Sequence, residues 1–157
     1  MLNSLIKVVD RVFPAGIAHA HCDIPCGIYD PIGAKIAAQT VQKMVMRIQA
    51  LEEGADHAAF ANTLARYISV KEQHADVCKN ELDILWHDYF RPEHVEQNPD
   101  IHSQIWNASK LCSKNKQTVD LDAAKELVAT VDKIAAIYWA TKNVEYKDEL
   151  AEVRFGA

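Results

Sequence analysis

Behind Gly33 the chain repeats apolar residues at three- to five-residue steps through four long stretches, a period that admits helices and little else. The first stretch, about 33 to 53, carries Ile36, Val41, Met44, Val45, Ile48 and Leu51 before Gly54-Ala55-Asp56 breaks it. The second, about 57 to 89, carries Phe60, Leu64, Tyr67, Ile68, Cys78, Leu82, Leu85 and Trp86, and Pro92 stops it. Asn98-Pro99 reads as a cap followed by proline at the first position of a third helix, with Ile101, Ile105, Ala108 and Cys112 inward. Asp120 or Asp122 caps a fourth, which keeps Leu127, Val131, Ile134, Ala135, Tyr138 and Thr141 in register. No strand-like alternation runs to comparable length, and five glycines are too few for a turn-rich sandwich or barrel. Long amphipathic helices with short connections predict an all-α fold, an up-down-up-down four-helix bundle preceded by an N-terminal metal-binding hook. Cys78 and Cys112 are expected as buried thiols within it.

With 157 residues, 49% hydrophobic and 25% charged, the chain is long enough to own one core. A net charge of −5 speaks against nucleic acid, whose phosphates call for a basic face. No run reaches the roughly 18 apolar residues of a membrane span, so no membrane partner is expected and the cytoplasm is the expected location. The short charged tail after Lys147 gives no functional signal.

The hook is the stretch His21-Cys22-Asp23-Ile24-Pro25-Cys26-Gly27-Ile28-Tyr29-Asp30-Pro31. It follows Ala18-His19-Ala20, small residues that look cleavable, so residues 1–20 are expected to be a propeptide and 21–157 the mature domain. Lys7, Asp10 and Arg11 interrupt the apolar run of a secretory signal, whereas Leu2, Leu5, Ile6, Val9 and Phe13 share one helical face, as in a pro-helix read by a maturation protease. A structureless leader fits the same residues. Cutting after Ala20 gives His21 a free amine. That amine and the Cys22 backbone nitrogen close a five-membered chelate ring, the Cys22 sulfur closes a second, and Cys26 reaches back with another sulfur. The His21 imidazole is then left for a fifth position.

Pro25 with its fixed φ and Gly27 with its tolerance of positive φ provide the necessary reversal. A planar mixed nitrogen and sulfur set suits Ni(II) or Cu(II) better than the tetrahedron of zinc. The C-x3-C spacing alone equally fits half of a zinc site, a disulfide or chance, and no second cysteine pair is present.

The run 21–31 resembles the hook signature of nickel superoxide dismutases, H-C-D-x-P-C-G-x-Y-D-P. Downstream, Trp86-His87-Asp88-Tyr89-Phe90-Arg91-Pro92-Glu93-His94 is similar to that family's W-x-D-Y-F-[KR]-P-x-H segment. A weaker likeness covers 134–142, closing with Thr141-Lys142. This resemblance implies a nickel ion held by the amine and imidazole of His21, the backbone nitrogen and sulfur of Cys22 and the sulfur of Cys26. It implies disproportionation of superoxide to oxygen and hydrogen peroxide through a Ni(II)/Ni(III) cycle, with Asp23, Tyr29 and Tyr89 shaping the access pocket. Tyr89 is equally well read as an aromatic anchor at a helix end.

It also implies a homo-oligomer, a hexamer. Arg91 is the candidate for local positive charge that draws an anionic substrate to a negatively charged protein. Two places where the family braces the axial imidazole, a glutamate and an arginine, hold Ala37 and His74 here. The competing expectation is a non-catalytic helical bundle that binds metal or a partner, with the thiols as a zinc or disulfide element.

Overall fold

The computed structural model describes residues 26–156, so the expected leader and the hook residues His21, Cys22 and Asp23 lie outside the described residues. Helix α1 spans Ile32–Gln49, directly behind Pro31, and the Asp30 carboxylate accepts from the Ile32 N–H at 2.8 Å. Its inner face is Ala34, Ala37, Ala38, Val41 and Val45. Helix α2 spans His57–Ile84 and starts where the Asp56 side chain accepts from the Ala59 N–H at 3.0 Å. One wide π-helical turn, Leu85–Tyr89, continues it and closes with Phe90 N–H donating to the Leu85 carbonyl at 2.9 Å. A short α3, Pro92–Gln97, leads to α4, Ile101–Gln117. Helix α5, Leu121–Ala140, is capped by Asp120, whose carboxylate accepts from Asp122 and Ala123 N–H, each at 3.0 Å. Helix α6, Ala151–Phe155, ends the described chain.

α1 and α4 each pack against both α2 and α5, which closes a ring of four. The short links make neighbours antiparallel, so the up-down-up-down bundle read from the periodicity is the observed one. Val41, Val45, Leu82, Ile101, Leu127, Val131 and Ile134 are fully buried at its centre, together with both expected thiols, Cys78 and Cys112.

Two boundaries differ from expectation. The third bundle helix opens at Ile101 instead of Pro99, because Asn98 is committed to ending α3, where its N–H donates to the His94 carbonyl at 3.0 Å. The first helix stops at Gln49, four residues early, where Ala50 and Leu51 fold back onto Met46 and Ile48 carbonyls. The tail after Lys147 is structured: Gln39 Nε2 donates to the Ala151 carbonyl at 3.1 Å, Arg154 Nε donates to Gln39 Oε1 at 3.1 Å, and Lys43 sits 5.2 Å over the Phe155 ring.

A buried cation fastens the far end of the bundle. Lys71, 2% exposed on α2, donates to the Asn115, Lys116 and Thr118 carbonyls, where α4 runs out of its own donors. Asn115, also buried, donates to Leu111 and Ala123 carbonyls at 2.9 and 3.1 Å and so joins α4 to α5. Burial lowers the Lys71 pKa, yet three carbonyl partners replace much of the water an ammonium loses. Lys71→Met keeps the stem and strands those carbonyls. Urea unfolding should show a loss of about 2–4 kcal/mol with an unchanged denaturant slope. A loss under about 0.5 kcal/mol would contradict this role.

Candidate metal centre and its access cavity

The described part of the hook begins at Cys26. Gly27 takes φ +73°, the left-handed turn anticipated for it, and the chain bends so that the Ile28 N–H donates to Cys26 Sγ at 3.4 Å. Cys26 is exposed, one residue ahead of the wall of a cavity of about 430 Å³ that starts at Gly27 and Tyr29.

The back of that cavity is a cluster of phenols from three parts of the chain. Tyr138 on α5 donates its hydroxyl to the Tyr29 carbonyl and thereby ties the hook's exit to the bundle. Tyr89, delivered by the π-helical turn, has its ring 5.6 Å from Tyr29 and 4.5 Å from Tyr138, centroid to centroid. His94 stacks on the other side of Tyr89 at 5.5 Å and 16°, its Nδ1 accepting from the Arg91 N–H at 3.2 Å. Thr141 Oγ1 donates to the Tyr138 carbonyl at 2.7 Å, which commits its only proton. Its bond with the Tyr89 hydroxyl must therefore have Tyr89 as the donor. The proton on Tyr89 is thus directed into the protein, and the phenol oxygen keeps lone pairs toward the cavity. Burial, then the neighbouring Tyr89 and Asp30, push the Tyr138 phenol up, so the tether to Tyr29 stays protonated through neutral and mildly alkaline pH.

Charge at the cavity is mixed. Arg91 lines it, as anticipated, and so does Lys142, whose Nζ lies 5.0 Å over the Tyr89 ring and 5.9 Å from that of Tyr138. Asp88 and Glu93 stand on the same wall and offset these two cations. A cation held against phenol faces is less hydrated than one in open water, and its field therefore acts more strongly on a small anion entering beside it.

Of the six residues singled out from sequence, the structure brings Tyr29 and Tyr89 together in one cavity wall and leaves Cys26 exposed just ahead of it in the chain, while His21, Cys22 and Asp23 lie outside the described residues. Among the described residues no group of three or more His, Cys, Asp or Glu forms a metal site, as follows when only one expected ligand residue lies among them. Sequence reasoning gave no role to Lys142, Thr141, His94 or Tyr138. The first three sit in or beside the recognised motifs, and Tyr138 looked like plain core. Ala37 is buried in the α1 core face and makes no polar contact possible there. His74 keeps a buried Nδ1 without a hydrogen-bond partner among the described residues.

The nickel-containing superoxide dismutase family matches residues 16–142. The nickel superoxide dismutase of Streptomyces seoulensis is 34% identical over 137 residues, 87% of this chain and 99% of that one. That of Streptomyces coelicolor is likewise 34% identical over 137 residues. A native nickel superoxide dismutase structure superposes with a TM-score of 0.70 at 31% identity, covering 79% of this chain and all of that chain. One with nickel ligation corresponding to the oxidised state gives 0.69 at 35% identity, with the same coverage. The hook turn, the phenol-lined cavity behind it and these likenesses together place the chain in the nickel-containing superoxide dismutase family.

Proposed function

We propose that the mature protein begins at His21 and that His21, Cys22 and Cys26 hold the nickel ion at the mouth of the cavity, with Asp23, Tyr29 and Tyr89 around the entering substrate. The activity is that of the family: two superoxide ions and two protons become oxygen and hydrogen peroxide. Bound nickel supplies the one-electron exchange in each direction. The observation that carries the ligand assignment is Cys26 Sγ, exposed at the head of a left-handed turn that leads straight into the cavity wall at Gly27 and Tyr29. A zinc or disulfide element in a non-catalytic bundle would have no use for a cavity lined by phenols and cations.

The chain's own residues do the rest. Arg91 and Lys142 attract the anion over the last few ångströms, inside the range at which salt screens the global negative charge. Tyr29 and Tyr89 narrow the passage to small species, and the committed Tyr89 proton leaves Tyr89 Oη as an acceptor for a water or for the protonated product. Tyr138 fixes where the hook leaves the bundle, which sets Cys26 against the cavity.

The uncut chain has a peptide nitrogen at His21, so the leader delays assembly until a maturation protease acts. The cytoplasm fits this chemistry, because reduced Cys22 and Cys26 must await metal without pairing. No helix of the described residues is long and apolar enough to cross a membrane. Assembly into a homo-oligomer, a hexamer by family resemblance, is supported by three isoleucines at the hook's exit and the start of α1, Ile28, Ile32 and Ile36, left 79%, 37% and 43% exposed.

Protein released so that His21 is its first residue, loaded with nickel and mixed with superoxide in a stopped-flow instrument, should remove it orders of magnitude faster than the full-length chain loaded in the same way. Equal rates would refute the dependence on a new terminus. Tyr138→Phe should cost stability only about 0.5–1.5 kcal/mol while lowering turnover severalfold, since it frees the hook's exit without emptying the core; unchanged turnover would remove the tether from the account. Exchanging both Arg91 and Lys142 for Met should lower kcat/KM by about tenfold at low salt and flatten its salt dependence. A variant with the parent's salt slope would show that these cations do not steer.

A further inference from the structure

The bundle holds a second pair of thiols that the metal chemistry does not use. Cys78 on α2 and Cys112 on α4 are both fully buried on helices that pack against one another, and Cys112 is the leading influence on the Cys78 thiol. Small neighbours one turn away, Ala75 and Ala108, are fully buried too and allow the two helices to approach closely. Cys112 also forms part of the wall of a separate cavity of about 250 Å³, whose other walls include Asp76, Lys79 and Lys116. The Lys116 ammonium is paired to Asp76 at 2.8 Å across that opening, tying the same two helices together on the surface.

We infer that Cys78 and Cys112 are a modification site for hydrogen peroxide, which converts them to a disulfide joining α2 to α4. Cys112 Sγ, as thiolate, attacks one peroxide oxygen; the O–O bond breaks, and the departing hydroxide takes up the thiol's proton as water, leaving a sulfenic acid on Cys112. Cys78 Sγ then attacks that sulfur, the S–S bond forms, the S–O bond breaks and a second water leaves. The two thiols are oxidised by two electrons and one peroxide is reduced to two waters. Cys112 is assigned the first attack because it borders the cavity. Cys78 is the poorer first nucleophile, since the neighbouring Cys112, and then burial, hold its thiol well above the ordinary cysteine range. As the resolving thiol it already neighbours its target, which offsets that weakness.

The reaction is slow by design of its surroundings, so it registers sustained peroxide and not single turnovers. Its effect is to lock together the helix that carries the Tyr89 turn and its neighbour. The enzyme's own product as peroxide source rests on the proposed function; the chemistry at the pair does not.

Metal-loaded protein is incubated with hydrogen peroxide, its remaining thiols are alkylated in denaturant, and it is cut with trypsin. Cleavage after Lys71, Lys79, Lys110 and Lys114 isolates Cys78 in peptide 72–79 and Cys112 in peptide 111–114, apart from Cys22 and Cys26. The expected result is a peroxide-dependent, dithiothreitol-reversible link between those two peptides, with a rise in Tm of roughly 5–10 °C. Cys112→Ser should lose both the link and the Tm rise. Alkylated, unlinked peptides after the hook thiols have been fully oxidised would overturn the inference, as would a Cys112 sulfinic acid beside an untouched Cys78. A link formed by added peroxide in protein without superoxide activity would sustain this inference and count against the nickel reading, and the converse result would do the reverse.

Discussion

One hydrogen bond, from the Tyr138 hydroxyl to the Tyr29 carbonyl, decides where the described end of the hook meets the bundle. A hook of about ten residues has far too little apolar surface to hold its own shape, so its position must be lent to it by something that already has one. Tyr138 can lend it because α5 is the most apolar helix of the bundle, with Leu127, Val131, Ile134 and Ala135 fully buried along the same face. Tyr89 and Thr141 brace the anchor's own backbone, Tyr89 donating to Thr141 Oγ1 and Thr141 donating to the Tyr138 carbonyl. The core therefore does more than keep the fold together; it fixes the hook's exit at Tyr29 beside the phenols of Tyr89 and Tyr138.

The wide turn at Leu85–Tyr89 is the second element on which the site depends. An ordinary α-helical continuation of α2 would rotate Tyr89 by a different angle, and the extra residue in the turn directs its ring between Tyr29, Tyr138 and His94 instead. Arg91-Pro92 then breaks the helix immediately, because proline cannot continue the ladder and its predecessor is pushed to extended backbone, φ −121° and ψ 166° at Arg91. A cationic side chain is thus delivered to the same cavity that received the phenol two residues earlier. The motif from Trp86 to His94 is in this sense a structural instruction, with the helix defect, the break and the short α3 all spelled in nine residues.

Local features of this kind were legible before any coordinates. The helical period, the cap at Asp120, the positive φ at Gly27 and the burial of Cys78 and Cys112 each follow from neighbours within a turn or two. What escaped was set by distance along the chain. Tyr138 bonds to a residue 109 positions away, and nothing in its own helical register separates it from an ordinary core aromatic. Lys142 looked like the end of a helix until the ring of Tyr89 appeared beneath it. Helix α6 was hidden for the opposite reason: five residues carry too little periodicity to read, and its docking relies on Gln39, Lys43 and Arg154, polar residues that sequence patterns assign to solvent. The missed start at Pro99 shows two valid rules in conflict, since the same asparagine that can open one helix was needed to end another.

The claim on which the rest stands is that the exposed Cys26 is one of two sulfur donors to nickel. X-ray absorption at the nickel edge of protein starting at His21 tests it most directly. Two sulfur scatterers with nitrogen completing a planar set, falling to a single sulfur in Cys26→Ser, is the predicted result. A sulfur shell that is unchanged by that substitution, or a nickel ion surrounded by nitrogen and oxygen alone, would contradict it.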